Sequence, residues 1–410
     1  MEISVALFVR SLHVCTGSLY YSFHSRWQTK RFDVNSLRNL KKYISYHMKI
    51  CLAPMDGITD CAYRIICKQI FLQHGHPDDE LMLWTEFMSA DGYTHNPPGV
   101  IKHILRSDYD HETIAQIFGG NPETLIHCAQ DLEKKYNFAG IELNMGCPSP
   151  KIMKCVAGSG MLRDKEKTLE ILKEIAGSIS TPFSLKTRLW LSPDDVQDQF
   201  EFLLEASKYV SMIWVHGRTY KQSHAWFVDR DFIYRLKKEL PDTIIIGNGW
   251  LRTYNDCVEK LQNLDGMMPA QSAIGNPWIL TPHDPTPLER YETIIAHLDM
   301  AMACEIYFKT TIQTYDHQYW LIQPTLTQLQ DITNNLESID PELLASYHTP
   351  VEFRKYLFNY ISWLPDNKSL KKKIPPARDY QSLKILLREY FESWVLSLEW
   401  WIVIWGNSKS

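Results

Sequence analysis

The 410-residue chain has no pair of cysteines at C-x-x-C spacing and no His/Cys cluster with zinc-ligand spacing, so no redox dithiol or structural zinc site is expected. Its nine cysteines are odd in number and scattered, which argues against a disulfide framework and for a reducing compartment, with the cytoplasm as the expected location. Long apolar runs are missing too. The longest, Trp394 to Trp405, contains Glu399 and falls short of the ~20 residues a bilayer-spanning helix needs, so a buried or interfacial helix is expected there and no membrane partner. A basic excess is also absent: 43 Lys and Arg against 48 Asp and Glu leave a net charge of −5. The whole-chain charge therefore lacks the footprint of a nucleic-acid binder, and any basic site has to be regional. What is present is 45% hydrophobic and 22% charged residues, the balance of a folded chain, at a length that suggests two domains.

Residues 1–47 carry seven Lys/Arg against two acids, Glu2 and Asp33, a composition compatible with a targeting peptide. The preferred expectation is an extension outside the folded unit, because Met48 stands immediately before KICLAPMDGITD, which reads as a first strand and its loop.

From residue 48 onward, short apolar or β-branched runs alternate with amphipathic stretches. The candidate strands are Ile50–Ala53, Leu81–Phe87, Thr113–Phe118, Ala139–Asn144, Pro182–Thr187, Met212–His216, Thr243–Gly247 and Gly266–Ala270. Helical periodicity lies between them, over Pro122–Tyr136, Lys165–Ser178, Pro193–Tyr209 and Thr253–Leu261. Such a series suggests an α/β fold, a (β/α)8 TIM barrel over 48–283, with a doubly wound sheet as the alternative. Polar residues recur where the strands end, at Thr85, Glu86, Gln116, Asn144, Lys186, His216 and Asn248, and in a barrel those ends share one face.

Pro282, Pro285 and Pro287 mark a boundary, after which an all-helical domain is expected over 284–405. Charge divides it. Residues 281–350 hold ten Asp/Glu against two Lys/Arg, whereas 351–390 hold nine Lys/Arg against four Asp/Glu. On charge alone the basic stretch reads as a solvated helix face. Its interleaved Tyr356, Phe358, Tyr360 and Trp363 also suit phosphate contact with base or ribose stacking.

The segment IELNMGCPSPKIMKCVAGSG, 141–160, is the most specific. It ends a strand at Asn144 and places Cys147 at the barrel mouth, where a thiol can be a nucleophile, a metal ligand or a proton donor. Cys15, Cys51, Cys61, Cys67, Cys128 and Cys257 read as inert buried thiols, and His74, His76, Asp78, Asp79 and Glu80 as a solvated loop with no metal.

Taken together, LAPMDGITD, TEFMSADG, QIFGGNPE, IELNMGCPSP with AGSGMLRD, SLKTRLW, VHGRT, GNGW and AIGNPWI resemble the tRNA-dihydrouridine synthase family over 48–280. A weaker match, VEFRKYLFNYISW, falls at 351–363. The resemblance implies FMN-dependent reduction of the uracil C5=C6 bond in tRNA, with NADPH reducing the flavin, hydride passing to C6 and Cys147 protonating C5. By position it implies that Ala53, Pro54 and Met55 meet the flavin ring, Gln116 bonds its edge and Lys186 lies near N1. It further implies that His216 contacts flavin or phosphate, Arg218 reaches the substrate, and Asn144 binds the uracil. Asn248, Gly249 and Trp250 are expected near the FMN phosphate, and Arg354 and Lys355 on the tRNA side. No protein partner is implied.

One departure stands out. Ala270 and Gln271 occupy the positions of the family's Gly-Arg pair, which removes a close backbone approach and a cation from the phosphate loop. Backbone N–H groups at a helix starting near Ser272 are expected to take over, with weaker FMN binding. The rival readings are an FMN barrel acting on a free pyrimidine and a tRNA-binding relative that has lost catalysis.

Overall fold

The alternating runs become nine parallel strands in the computed structural model, which describes residues 48–192, 196–222, 227–314, 323–364 and 367–406. They are β1 (Lys49–Cys51), β2 (Leu81–Met82), β3 (Trp84–Ser89), β4 (Ile114–Phe118), β5 (Gly140–Met145), β6 (Phe183–Arg188), β7 (Met212–His216), β8 (Ile244–Asn248) and β9 (Gly266–Met268). Their order is β2-β1-β9-β8-β7-β6-β5-β4-β3. The expected strand Leu81–Phe87 is divided at Leu83: β2 pairs with β1 while β3 pairs with β4. Consecutive halves of one run thus serve both edges of the sheet and bring it round into a (β/α)8 TIM barrel.

Alternation along each strand sorts the side chains. In β5, Ile141, Leu143 and Met145 join the large core between sheet and helices. Cys51, Trp84, Ile114, Met212, Trp214, Ile246 and Met268 form a separate cluster inside the barrel. Glu142 and Asn144 alternate with the outward set and are buried on the inner side.

The helices Pro122–Tyr136 and Lys165–Ser178 span the expected bounds, capped by the side chains of Asn121 and Asp164. Of the two other expected helices, Val196–Ala206 ends before Tyr209, with 193–195 outside the described residues, and Tyr254–Glu259 is shorter than its periodicity suggested. A helix at Arg230–Glu239 was not anticipated; Asp229 accepts from Phe232 N at 2.9 Å and is its local start signal.

After β9 the described residues form only helices and turns, led by the 28-residue Pro287–Thr314. The expected Val351–Trp363 helix is broken into Thr349–Glu352, Arg354–Tyr360 and a 3-10 turn. Leu326–Asn335 carries a capping box of Thr325 and Gln328, a signal hidden in its Thr/Gln-rich sequence. The apolar stretch near the C-terminus belongs to the helix Tyr380–Gly406. Among the described residues no helix is long and apolar enough to cross a membrane. The extension 1–47, with Cys15, lies outside the described residues.

His297 fastens the helices to the barrel. Its ring lies 5.0 Å from Tyr63, 4.9 Å from Phe353 and 4.6 Å from Tyr356. Nδ1 meets the Tyr360 hydroxyl at 3.2 Å, while buried Nε2 has no partner. Burial pushes its pKa down to about 3. The unfolded chain, with an ordinary histidine near 6.5, therefore takes up a proton that the folded one rejects, so stability falls as the pH drops below that value. Between neutrality and pH 5 the expected loss through His297 is about 2 kcal/mol. Urea unfolding of the wild type and His297→Phe at both pH values checks this; an equal pH dependence in the variant contradicts it.

Candidate active site

At the end of β5, Asn144 ties the mouth together. Its Oδ1 accepts from Gly146 N at 3.1 Å and from Cys147 N at 2.9 Å. Its Nδ2 donates to Gln116 Oε1 at 2.8 Å, and Gln116 Nε2 donates to Glu142 Oε1. The amides run in one direction, Asn144 to Gln116 to Glu142, the direction in which a carboxylate accepts at the end of the chain. Gln116 is held from below as well, its backbone N–H donating to Thr85 Oγ1 at 3.1 Å across the irregular register between β3 and β4.

Glu142 is a site residue the motif reading missed. The signal was the alternation in IELNM, which places it on the face that carries Asn144. It is wholly buried, and Oε2 has no hydrogen-bond partner. Below it, Trp84 and Trp214 meet edge to face at 4.2 Å, and neither indole N–H has a partner. Lys186, paired in register with Asn144, is the neighbouring cation. Burial pushes the Glu142 carboxyl up and the Lys186 ammonium down, while their attraction acts the other way in both.

Cys147 is half-buried on a loop pinned from the other side. Its carbonyl accepts from Ser159 Oγ at 2.8 Å and from Ser159 N at 3.2 Å. Gly158 makes this approach possible: its φ is +57°, and a Cβ there would stand 3.0 Å from the Cys147 carbonyl oxygen. Arg188 Nε donates to Gly146 O at 2.7 Å. Burial raises the thiol pKa, with a backbone hydrogen bond from Ser149 and the charges of Arg188 and Lys186 opposing. A nucleophile or metal ligand needs the thiolate, whereas a proton donor needs the thiol, so this environment favours the acid. The other thiols read as inert, Cys51, Cys61, Cys67, Cys128 and Cys257, are all buried and free.

The β7–β9 side of the mouth is built around His216. Arg218 Nη1 lies 3.3 Å from His216 Nε2. Gly249, with φ +118°, leaves room for that ring, since a Cβ would stand 2.9 Å from His216 Cδ2. Asn248 Nδ2 donates to Met268 O. Trp250 turns its ring out to solvent. The helix expected near Ser272 is a single 3-10 turn, Gln271–Ala273. Ser272 Oγ donates to Leu251 O, and Gln271 is exposed. The reason for the short turn is the chain reversal at Gly275, φ +61°, which lies against the backbone of Tyr356 and Tyr360.

The β1 loop completes the ring. Ala53 N donates to Pro269 O at 3.2 Å, Pro54 is half-buried, and Met55 O accepts from Ile58 N and Thr59 N, both at 3.0 Å. Tyr356 crosses from the helical part to donate to Ile58 O and to Asp60 Oδ2, the latter at 2.8 Å. This brings Lys355 Nζ over Gly57, 3.4 Å from where a Cβ would sit. Arg354 is turned inward, donating from Nη2 to Pro375 O and Ala377 O, both at 2.8 Å. Tyr356 and Tyr360 are buried, so these two aromatics of the basic stretch are core and not a stacking surface. Lys368, Lys372, Lys373, Arg378 and Arg388 are exposed.

Acids gather beside the β1 loop. Asp56, Glu86 and His103 bring one ligand-type atom each to within 4.8 Å of one another, and Gly57 N donates to Glu86 Oε1. The loop His74–Glu80 is engaged in local contacts, with His74 stacked on His283 at 4.0 Å and Asp78 paired with Lys68 at 2.7 Å.

The family model for dihydrouridine synthase (Dus) matches residues 51–341. The chain is 28% identical over 254 residues to the tRNA-dihydrouridine(20/20a) synthase of Yersinia pestis, covering 58% of this chain and 68% of that protein. It is 24% identical over 280 residues to the Escherichia coli K12 protein of the same name, covering 64% and 76%. The Shewanella oneidensis protein of that name is 26% identical over 265 residues, with 62% and 73% covered. A match spanning the barrel and running into the helices, on a mouth built from the motif residues themselves, means that this chain belongs to the dihydrouridine synthase family.

Proposed function

We propose that this protein is a tRNA-dihydrouridine synthase, an FMN-dependent oxidoreductase of the cytoplasm that reduces the C5=C6 bond of a tRNA uridine with NADPH as reductant. The observation that carries the reading is Cys147, a half-buried thiol kept in its acid form and locked by Asn144 to the amide chain that ends on Glu142. In this reading 48–283 is the catalytic part and 284–405 grips the tRNA.

The mouth fits a flavin at its ring end. Gln116 offers a fixed amide, Lys186 a cation beside the thiol, and the missing Cβ of Gly249 a cradle next to His216. Ala53, Pro54 and Met55 lie on the loop that follows β1, its backbone fixed by bonds to Pro269, Ile58 and Thr59. The phosphate end is poorer, because Ala270, Gln271 and the committed hydroxyl of Ser272 offer no charge. Placing a guanidinium at exposed position 271 with Gln271→Arg is therefore expected to tighten FMN about tenfold, the size of one charge-assisted hydrogen bond. Flavin fluorescence titration reads this, and an unchanged affinity contradicts it.

Bound FMN, once reduced by NADPH, supplies the hydride for uracil C6. Cys147 gives its proton to C5, the electrons of the former double bond forming the new C–H bond, and the thiolate left behind recovers a proton from water. Lys186 holds positive charge beside the thiol and so eases its loss of a proton. Asn144 commits Oδ1 and one Nδ2 proton to the protein, which leaves its second proton for a uracil oxygen. A stacked base has to leave the tRNA to enter the barrel.

The test is dihydrouridine mapping of tRNA from cells lacking the gene, with and without the wild-type chain. Loss of dihydrouridine at defined positions and its return on complementation are expected. An unchanged map, or purified protein that reduces free uracil and not tRNA, overturns the reading.

A further inference from the structure

The rim after β8 carries an aromatic surface that the reduction itself does not use. Trp250 is a bulky residue at φ +48°, a left-handed conformation that a Cβ makes costly. Arg230 holds it there, Nη2 donating to Gly249 O at 2.7 Å and to Trp250 O at 3.3 Å. The result is an indole 41% exposed, with the ring of Phe227, itself 83% exposed, 6.2 Å away. Two guanidiniums flank it: Arg252 lies 5.1 Å and Arg218 5.7 Å from the ring centroid. Both lie over the ring at cation–π range, and the indole still keeps that exposed surface open to solvent.

We propose that Trp250, Arg252 and Arg218 form a stacking platform for a nucleotide of the substrate RNA next to the uridine being reduced, the base lying on the indole and its phosphate on the guanidiniums. The proposal rests on the tRNA reading above. An aromatic face between fixed cations matches a base joined to a phosphate. Its place on the rim decides which nucleotide. Arg218 touches both Trp250 and His216, so the platform is continuous with the mouth, and a polynucleotide whose uridine enters the barrel has to lay its neighbours across that rim. The platform also lies on the β7–β8 side, away from the acids Asp56 and Glu86 that follow β1 and precede β4.

The test measures tRNA affinity of the flavin-loaded chain across a salt series for Trp250→Gly, Trp250→Phe and Arg252→Ala. Removing the ring is expected to weaken binding about 5- to 100-fold, the range of one base–aromatic stack, while phenylalanine stays within about threefold of wild type. Arg252→Ala is expected to lower the salt slope by about one. The melting temperature of each variant is read alongside, so that weaker binding at an unchanged melting temperature, with Trp250→Phe retaining affinity, is loss of the stack and not of the fold. Equal tRNA affinity in wild type and Trp250→Gly overturns the platform alone; wild-type chain that binds no tRNA overturns the functional reading with it. A raised KM for NADPH, or loss of flavin, at unchanged tRNA affinity assigns the ring to a cofactor and also overturns the proposal.

Discussion

Single-turnover reduction of tRNA uridine by Cys147→Ala is expected to be at least about a hundredfold slower than wild type, the usual contribution of a positioned general acid. The expectation rests on geometry that leaves the thiol no substitute. Asn144 and Ser159 clamp the backbone on either side of it, so neither neighbouring side chain can swing into its place. The pH dependence has a defined sign. A proton donor works while protonated, and burial raises the thiol above its ordinary value, so the rate should hold through neutrality and fall only above the usual thiol range near 8.5. Lys186, pushed down by burial, and Glu142, pushed up, add an alkaline limb of their own, and a limb that persists in Cys147→Ser belongs to that pair. A rate that climbs with pH through the thiol range, or an alanine variant as fast as wild type, rules out the acid assignment.

Arg64→Met is expected to destabilise the protein by about 3–5 kcal/mol, the effect of stranding one partner of a buried ion pair. Arg64 lies wholly inside the protein on the helix Cys61–Gln73. Its Nε donates to Asp110 Oδ2 at 2.8 Å, Nη1 to Thr59 O at 2.7 Å and Nη2 to Leu105 O at 2.6 Å. Asp110 in turn accepts from Ser107 N at 2.6 Å and Ser107 Oγ at 2.8 Å. One guanidinium therefore fixes the β1 loop to the segment that leads into β4. Since Thr59 bonds Met55, the damage should reach the loop Ala53–Met55, proposed above to meet the flavin. Urea unfolding reads the stability and flavin titration the loop; a loss under 1 kcal/mol would show that the pair contributes little. Arg64→Met with Asp110→Leu should recover much of the stability, because two apolar groups leave no charge stranded.

Much of this architecture was legible before any coordinates. Strand runs, their helices and the polar residues at strand ends depend on local periodicity, and the bounds of Pro122–Tyr136 and Lys165–Ser178 follow directly from capping residues and apolar spacing. The mouth residues Gln116, Asn144, Lys186, His216 and Asn248 were identifiable because a barrel gathers strand ends on one face. Glu142 escaped notice because motifs are read for reactive residues, and its importance comes from three neighbours on other strands.

The C-terminal part shows the opposite case. Arg354 and Lys355 are adjacent in a basic run and look equivalent, yet one ties the 375–377 loop and the other faces Gly57 at the mouth. Successive helical positions point about 100° apart, and only the packing decides which direction meets the barrel. Tyr356 and Tyr360 read equally well as stacking rings or as core, and burial made them core. Trp250 reads as part of a cofactor segment, but a left-handed backbone turned its ring outward.

The sequence by itself determined the barrel, the helical addition and which strand ends carry polar side chains, because periods of 2 and 3.6 and chain order are local properties. Tertiary structure alone decided that Cys147 is half-buried on a pinned loop, that Glu142 anchors the amide chain and that Lys355, not Arg354, reaches the mouth. Burial, charge proximity and side-chain direction depend on residues far apart in the chain, and no local pattern encodes them.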